Sequence, residues 1–275
     1  MHLFRRLVVV SMLALAGCSS SSAGGSTATP GQDAASDPDT AADAPSSSAV
    51  SYKTYVILGD SISDRGGQGP FFYDLLYTDL QTRYPGIAEV KNSKAGATAN
   101  GLVSQTQSLP TSLAGPVLVT ITIGGNDVQA ALGTLATGGS DATARQTFTN
   151  ELDAALAELT KVDRFGAGVQ VKILLANIYD PSDGTGNFTY QGTKCPGALG
   201  FWPAGTATDP LLTPWEQIMT DTTTKYPQVQ VLGLHDRFHG HGVAAMPTWF
   251  FSDCIHPNTA GHDQIRGLFL EALPQ

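Results

Sequence analysis

Residues 55–63 read YVILGDSIS and decide the fold of this chain. The first four are apolar and form a short strand-like run. The Gly-Asp pair that follows is typical of a turn, so the predicted strand ends just before Ser61. Because ligand sites collect at the carboxyl ends of strands in open parallel sheets, this position makes the Ser61 hydroxyl a candidate reactive group.

The strand-like pattern of residues 55–58 returns at intervals along the chain. Strands are predicted over residues 53–59, 87–92, 116–123, 169–178 and 228–233, with helical stretches between them. The clearest helix is predicted over 141–163, where one apolar stripe contains Phe148, Leu152, Ala155, Leu156 and Leu159. Strands that alternate with helices predict parallel βαβ units, and therefore an α/β fold with its site at the carboxyl edge of a five-stranded sheet.

A second polar motif follows the predicted strand 116–123. Residues 124–127 read GGND, which places the side-chain amide of Asn126 at the same sheet edge as Ser61. An amide at that position can donate a hydrogen bond to an oxyanion. Taken alone, a Gly-Gly-Asn-Asp stretch is also compatible with a flexible turn, so its position after a strand carries the argument.

The third motif lies about two hundred residues after the first, where residues 253–257 read DCIHP. Asp253 and His256 are three residues apart, a spacing that brings both side chains to one side of a turn. Pro257 holds His256 in extended conformation and opens a last helix with an apolar face. A serine hydroxyl needs an imidazole to take its proton and a carboxylate to orient that imidazole, so Ser61, His256 and Asp253 form a candidate catalytic triad.

These motifs resemble those of the SGNH, or GDSL, hydrolase family, and the resemblance covers residues 52–273. It implies that Ser61 is the nucleophile and that its backbone N–H, the N–H of Gly96 in residues 94–98, and the Asn126 amide form the oxyanion hole. Asp253 and His256 match the family's closing DxxH. The implied fold is a flavodoxin-like three-layer α/β/α sandwich with a mostly parallel five-stranded sheet. The implied activity is that of an esterase or lipase with no metal or organic cofactor.

Several functions remain open within this interpretation. The substrate is predicted to be a small-molecule, lipid or carbohydrate ester, and thioesterase or lysophospholipase activity is compatible with the same residues. The alternatives are a carbohydrate O-acetyl esterase, an acyltransferase, or a surface-binding lipoprotein without activity.

No GxSxG motif is present, which argues against the α/β-hydrolase fold. His235, His239 and His241 lack the spacing of metal ligands, so we predict no metal site.

The first 50 residues predict export. Residues 1–17 contain a short basic start and an apolar stretch, and residues 15–18 read LAGC, which resembles the signal peptide of bacterial lipoproteins. Cys18 would then be acylated and would anchor the chain to a membrane, facing the periplasm or the exterior; an ordinary cleaved secretory signal is the alternative. Residues 18–50 are rich in Ser, Ala and Asp and predict a disordered tether. Residues 51–275 form the predicted hydrolase domain.

Charge and cysteine content complete the prediction. Fifteen basic and 24 acidic residues give a net charge of −9, which argues against a nucleic-acid partner; we also predict a monomer. With Cys18 acylated, Cys195 and Cys254 remain and can form a disulfide beside Asp253 in an oxidising compartment, the alternative being a buried, free Cys254. The irregular residues 180–209, with Tyr190, Phe201 and Trp202, predict an ordered cap beside the site, unless these aromatic residues fill the core.

Overall fold

The computed structural model describes residues 50–203 and 205–274. The predicted signal peptide, Cys18 and all but the last residue of the tether lie outside the described residues. Five strands form one sheet, and each lies within two residues of its predicted ends: β1 (Thr54–Gly59), β2 (Ala88–Lys91), β3 (Val117–Thr122), β4 (Val171–Ala176) and β7 (Val229–Leu232). A short antiparallel hairpin lies apart from this sheet and consists of β5 (Thr189–Tyr190) and β6 (Thr193–Lys194).

The main sheet is parallel throughout, with the strand order β2-β1-β3-β4-β7. Every residue of the central strands β1 and β3 is buried, which explains why these strands read as continuous apolar runs. The strand order reverses between β1 and β3, where their carboxyl ends open a crevice for a ligand. The predicted fold class is confirmed.

Helices cover both faces of this sheet. They are α1 (Phe72–Arg83), α2 (Ala99–Gln107), α3 (Gly125–Ala136), α4 (Ala142–Leu159), α5 (Gly197–Gly200), α6 (Asp209–Lys225), α7 (Leu234–Phe238) and α8 (Thr259–Glu271). Right-handed crossovers place α1 and α8 on one face and α2, α4 and α6 on the other, in agreement with the contacts between these helices. None of the helices in the described part of the chain combines the length and apolar character needed to cross a membrane.

The predicted apolar stripe of α4 is buried in full. The helix ends four residues earlier than predicted, and Asp163, the last residue of the predicted helix, has a positive φ of 54° that a right-handed helix does not allow. At the other end of the chain, the Asn258 side chain accepts a hydrogen bond from the Gly261 N–H and caps α8. Ile265 and Phe269 anchor α8 in the core.

A disulfide joins Cys195 to Cys254, 59 residues apart in sequence, as expected from the cysteine content. It connects the cap segment, residues 180–209, to the loop that carries Asp253. The aromatic residues of the cap segment divide between the two predicted roles: Trp202 is buried, Tyr190 is half-buried, and Phe201 is 86% exposed. The described residues of the segment contain the hairpin β5–β6 and the short helix α5.

Candidate active site

Ser61 lies at the end of β1 because the chain turns sharply at Gly59. Gly59 has φ +123°, and a Cβ atom there would lie 2.0 Å from the carbonyl oxygen of Thr122 on β3. Only glycine allows the two strands to approach this closely. The Asp60 side chain then accepts a hydrogen bond from the Ile62 N–H (3.0 Å) and caps a single 3-10 turn that begins with Ser61.

The structure brings Ser61, His256 and Asp253 together. The Nε2 atom of His256 lies 2.8 Å from the Ser61 Oγ, and its Nδ1 atom lies 2.7 Å from the Asp253 Oδ2. The other carboxylate oxygen, Oδ1, accepts the backbone N–H groups of Ile255 (3.0 Å) and His256 (2.9 Å). A tight turn therefore fixes the carboxylate and the imidazole relative to each other.

The Asp253 carboxylate is ionised in this environment. Burial opposes the charge, but the hydrogen bonds from the ring and the backbone N–H of His256 outweigh it and hold the pKa of Asp253 below its ordinary value. An ionised carboxylate favours the tautomer that carries its proton on Nδ1, and in that tautomer the Nε2 lone pair faces the Ser61 hydroxyl.

A glycine loop packs directly against His256. A Cβ atom at Gly66 would lie 2.4 Å from the His256 ring, and one at Gly67 would lie 1.9 Å from the carbonyl oxygen of Pro257. His262 of α8 holds this loop: its Nε2 lies 2.9 Å from the Gly66 carbonyl oxygen, to which it donates. His262 was not predicted from the sequence. The Gly66-Gly67 pair indicates a closely packed loop shortly after Ser61, but it does not identify the residue that holds this loop.

The structure places Asn126 at the same edge, at the N-terminus of α3. The Asn126 side chain donates a hydrogen bond to the carbonyl oxygen of Ala97 (2.9 Å), and the Asp127 carboxylate accepts the N–H of Ala99 (3.2 Å). Both contacts hold the loop that contains Gly96, which has φ +76° and is exposed. Asn126 is among the residues that line the cleft beside Ser61, whereas Gly96 is not.

Two further polar residues support this edge and were not predicted. Asp60 is buried, and its Oδ1 accepts the hydroxyl of Thr122 (2.9 Å); burial raises the pKa of Asp60 to about 7. The Tyr179 hydroxyl donates to the carbonyl oxygen of Ile255 (2.7 Å), between the two residues Asp253 and His256. Both contacts depend on tertiary packing, and neither has a local sequence signal.

A cleft opens beside Ser61 and extends between α3 and the cap segment. Its volume is about 940 Å³, part of which is open to solvent. The lining is mainly apolar and includes Ser61 and Asn126. Its apolar lining residues include Val128, Leu132, Leu135, Ile178, Phe188, Leu199, Leu211 and Leu212. The cap segment thus lies beside the site, as predicted.

The three histidines considered for metal binding do not converge on one site. His241 stacks on Trp249, with the ring centroids 3.6 Å apart. His235 instead approaches Asp180 and Asp209, and potential ligand atoms of these three residues lie within 4.8 Å of one another. The oxygens of Asp180 already accept N–H and hydroxyl groups of its own loop, and Nδ1 of His235 lies 2.7 Å from Glu216. The Asp180 bonds therefore stabilise the cap segment itself, and the His235–Glu216 contact joins α7 to α6.

Sequence comparison agrees with the fold. The profile of the GDSL-like lipase/acylhydrolase family matches residues 57–264. The fold and the match define an ester-bond hydrolase. The chain belongs to the GDSL-like lipase/acylhydrolase family. A search of curated protein sequences finds no match.

Solved structures share the fold at low sequence identity. The lipase Lip_vut3 from a goat rumen metagenome is 16% identical with a TM-score of 0.58, over 80% of this chain and 96% of that one. Phospholipase A1 from Streptomyces albidoflavus NA297 is 18% identical with a TM-score of 0.54, over 80% and 99% of the two chains. An acetyl xylan esterase from Geobacillus stearothermophilus is 19% identical with a TM-score of 0.52, over 81% and 95%.

Proposed function

We propose that this protein is a serine hydrolase that cleaves carboxylic esters through an acyl-enzyme on Ser61. The single observation that carries the proposal is the relay of contacts from Ser61 Oγ to His256 Nε2 (2.8 Å) and from His256 Nδ1 to Asp253 Oδ2 (2.7 Å). These distances lie within the range in which a base takes a proton from a nucleophile.

In the first step, Ser61 Oγ attacks the ester carbonyl carbon while its proton passes to Nε2 of His256. The ionised Asp253 stabilises the imidazolium that forms. The tetrahedral intermediate then collapses: the ester C–O bond breaks, and the leaving alcohol takes the proton from Nε2. Water attacks the acyl-Ser61 ester in the same way, with His256 as the base, and releases the carboxylic acid and the Ser61 hydroxyl.

The oxyanion of the intermediate requires donors on the opposite side of the carbonyl carbon. We assign this role to the N–H groups of Ser61 and Gly96 and to the side-chain amide of Asn126. A primary amide has two N–H donors, and one of those of Asn126 holds the Ala97 carbonyl oxygen. The second N–H can donate to the oxyanion, so the same contact that fixes the loop also orients the amide.

The test of this mechanism is Ser61→Ala in the full chain, with Ser252→Ala as the matched control because Ser252 is exposed and next to Asp253. Ser61→Ala is expected to lower kcat on p-nitrophenyl acetate by about 10⁴-fold or more. Ser252→Ala is expected to keep the parent rate. Near-parent turnover by the Ser61→Ala variant would refute the proposal.

Two alternative functions can be distinguished from ester hydrolysis by experiment. An acyltransferase passes the acyl group to an alcohol instead of water, and a binding protein catalyses no reaction. An acyltransferase would give an acylated sugar when a carbohydrate alcohol is present, whereas the proposed hydrolase gives free acid. A protein that only binds a surface ligand would not react with a fluorophosphonate probe. We expect free acid and covalent labelling of Ser61.

We further propose that Cys18 carries a lipid anchor after removal of residues 1–17, and that the protein is an exported bacterial lipoprotein. The support is the basic start, the short apolar stretch and the LAGC sequence at residues 15–18. Radiolabelled palmitate fed to expressing bacteria is expected to label the parent and not the Cys18→Ser variant. Equal labelling of both proteins would exclude Cys18 as the anchor.

A further inference from the structure

One wall of the cleft beside Ser61 is a face of α3. Val128, Leu132 and Leu135 line it at the spacing i, i+4 and i+7, so they follow one another along the helix axis, starting next to Asn126. The helix rises about 1.5 Å per residue, so the nine steps from Asn126 to Leu135 span roughly 13 Å. The cleft therefore presents a continuous apolar strip that begins at the reacting end of the site.

The opposite wall comes from the cap segment and the start of α6. Phe188 and Leu199 are 6% and 7% exposed and face the cleft together with Leu211 and Leu212. The N–H of Cys195 donates to the carbonyl oxygen of Phe188 (2.9 Å), and Cys195 is bonded to Cys254. A covalent bond thus ties the outer wall of the cleft to the loop that carries Asp253 and His256.

Several polar side chains of the lining are already hydrogen-bonded within the protein. The Asn177 side chain donates to Glu216 (3.1 Å) and accepts the N–H of His235 (2.8 Å). The hydroxyls of Thr122 and Thr208 are bonded to the Asp60 and Asp180 carboxylates. A sugar in this cleft would lose its hydrogen bonds to water and find few in exchange, whereas an alkyl chain needs none.

We propose that the cleft holds the acyl group of the substrate and selects aliphatic chains of medium length, with the disulfide-bonded cap segment as the element that sets this selectivity. An extended alkyl chain advances roughly 1.3 Å per carbon, because C–C bonds are about 1.5 Å long and zigzag, so roughly eight to ten carbons fill the strip along α3. This inference rests on the proposed function of Ser61, because it names the acyl group that the same site takes.

The test is a panel of p-nitrophenyl esters from acetate to palmitate, with the full chain and kcat/KM as the readout. We expect kcat/KM to rise by roughly two- to fourfold per methylene up to octanoate or decanoate and to fall beyond it, because each methylene that enters the cleft leaves water. A flat profile, or a maximum at acetate, would overturn the inference.

Two filling variants measure where the chain lies. Leu135→Trp fills the strip at the end of α3 farther from Asn126, and Leu132→Trp fills it about one helical turn nearer to Asn126. Both are expected to lower the ratio of the decanoate to the acetate kcat/KM at least tenfold, and the optimum is expected roughly three carbons shorter in Leu132→Trp than in Leu135→Trp. Val162→Trp is the matched control, because Val162 is 91% exposed and lies outside the lining. An unchanged optimum in both filling variants would overturn the inference.

The role of the cap segment is tested by the double variant Cys195→Ala/Cys254→Ala. Its decanoate-to-acetate ratio is expected to fall at least fivefold because the outer wall is no longer fixed. Leu199→Ala keeps the disulfide and is expected to lower the same ratio by a smaller factor. This variant tests the cap segment even if the double variant does not fold. A parent ratio in Leu199→Ala would refute the role of the cap segment.

Labelling by a fluorophosphonate separates this inference from the proposed function. If Ser61 is labelled and esters are cleaved without any chain-length preference, the acyl-chain site is refuted and the hydrolase remains. If Ser61 is not labelled and none of the esters is cleaved, the proposed function itself is refuted.

Discussion

Two imidazole–carboxylate pairs in the described part of the chain have nearly the same local geometry. In one, Nδ1 of His256 lies 2.7 Å from the Asp253 carboxylate, and in the other, Nδ1 of His235 lies 2.7 Å from the Glu216 carboxylate. They differ at the second ring nitrogen. Nε2 of His256 faces the Ser61 hydroxyl at 2.8 Å, whereas Nε2 of His235 faces a second carboxylate, that of Asp209, at 3.5 Å.

The group that faces Nε2 therefore decides the role of each histidine–carboxylate pair. The hydrogen bond to Glu216 raises the pKa of His235, and the nearby Asp180 and Asp209 carboxylates add to this effect, so His235 is stabilised as a cation that holds α6 to α7. His256 has a hydroxyl at the corresponding position, which a neutral imidazole can deprotonate. An imidazole held by a carboxylate is thus insufficient evidence for catalysis; a nucleophile within hydrogen-bonding distance is what distinguishes the two pairs.

The largest expected effect separates the two histidines directly. His256→Ala is expected to lower kcat on p-nitrophenyl butyrate by about 10⁴-fold or more, because the proton of Ser61 has no acceptor. His235→Ala is expected to change kcat less than about threefold, since the His235 side chain does not contact Ser61 and is not among the residues that line the cleft. Steady-state kinetics on both variants checks this contrast, and equal losses would remove it.

The next effect concerns the oxyanion side of the site. Asn126→Ala is expected to lower kcat about 10²- to 10³-fold with a smaller change in KM, because the amide acts on a charge that develops in the transition state. Asn100→Ala is the control, since Asn100 is exposed and its amide bonds to Glu151. The assignment fails if KM rises and kcat stays at the parent value.

His262 extends the comparison of His256 with His235, because it is buried and does not contact Ser61. Burial lowers the pKa of His262 to about 4, so the ring stays neutral above pH 5 and donates to the Gly66 loop that packs on His256. His262→Ala is expected to lower kcat about tenfold, and His262→Gln, whose amide can reach the same carbonyl oxygen, is expected to recover most of it. Kinetics on both variants is the check; equal activity in the two variants would speak against a positioning role.

The smallest expected effect is on stability and comes from the His235 pair. Since the pKa of His235 is raised in the folded protein, its contribution is fully present below the unfolded pKa and is lost as pH rises through the folded pKa. His235→Gln is therefore expected to cost roughly 1–3 kcal/mol of unfolding free energy at pH 5 and less at pH 9. Urea unfolding at both pH values measures the difference, and a cost that grows with pH would contradict it.

The sequence predicts the elements whose signals are local. The strands appear as apolar runs between turn residues, and each motif at the sheet edge directly follows a strand or precedes a helix, so Ser61, Asn126 and His256 could be named in advance. The family resemblance supplied Gly96, which has no signal of its own.

The remaining features depend on how the chain packs. The bond of His262 to Gly66 joins residues 196 apart in sequence, and the pairing of His235 with Glu216 depends on the crossing of α6 and α7. The cap segment has neither the period of a strand nor that of a helix, so the contacts of Phe188 and Leu199 with the cleft could not be predicted. Only the cysteine content indicated where this segment is attached.

The most direct test of the central claim is mass spectrometry of the full chain after reaction with a fluorophosphonate. We expect one covalent adduct, located on Ser61, which forms quickly in the parent and in His235→Ala and at least a hundredfold more slowly in His256→Ala. An adduct on another residue, or equal rates in the two histidine variants, would contradict the claim that His256 activates Ser61.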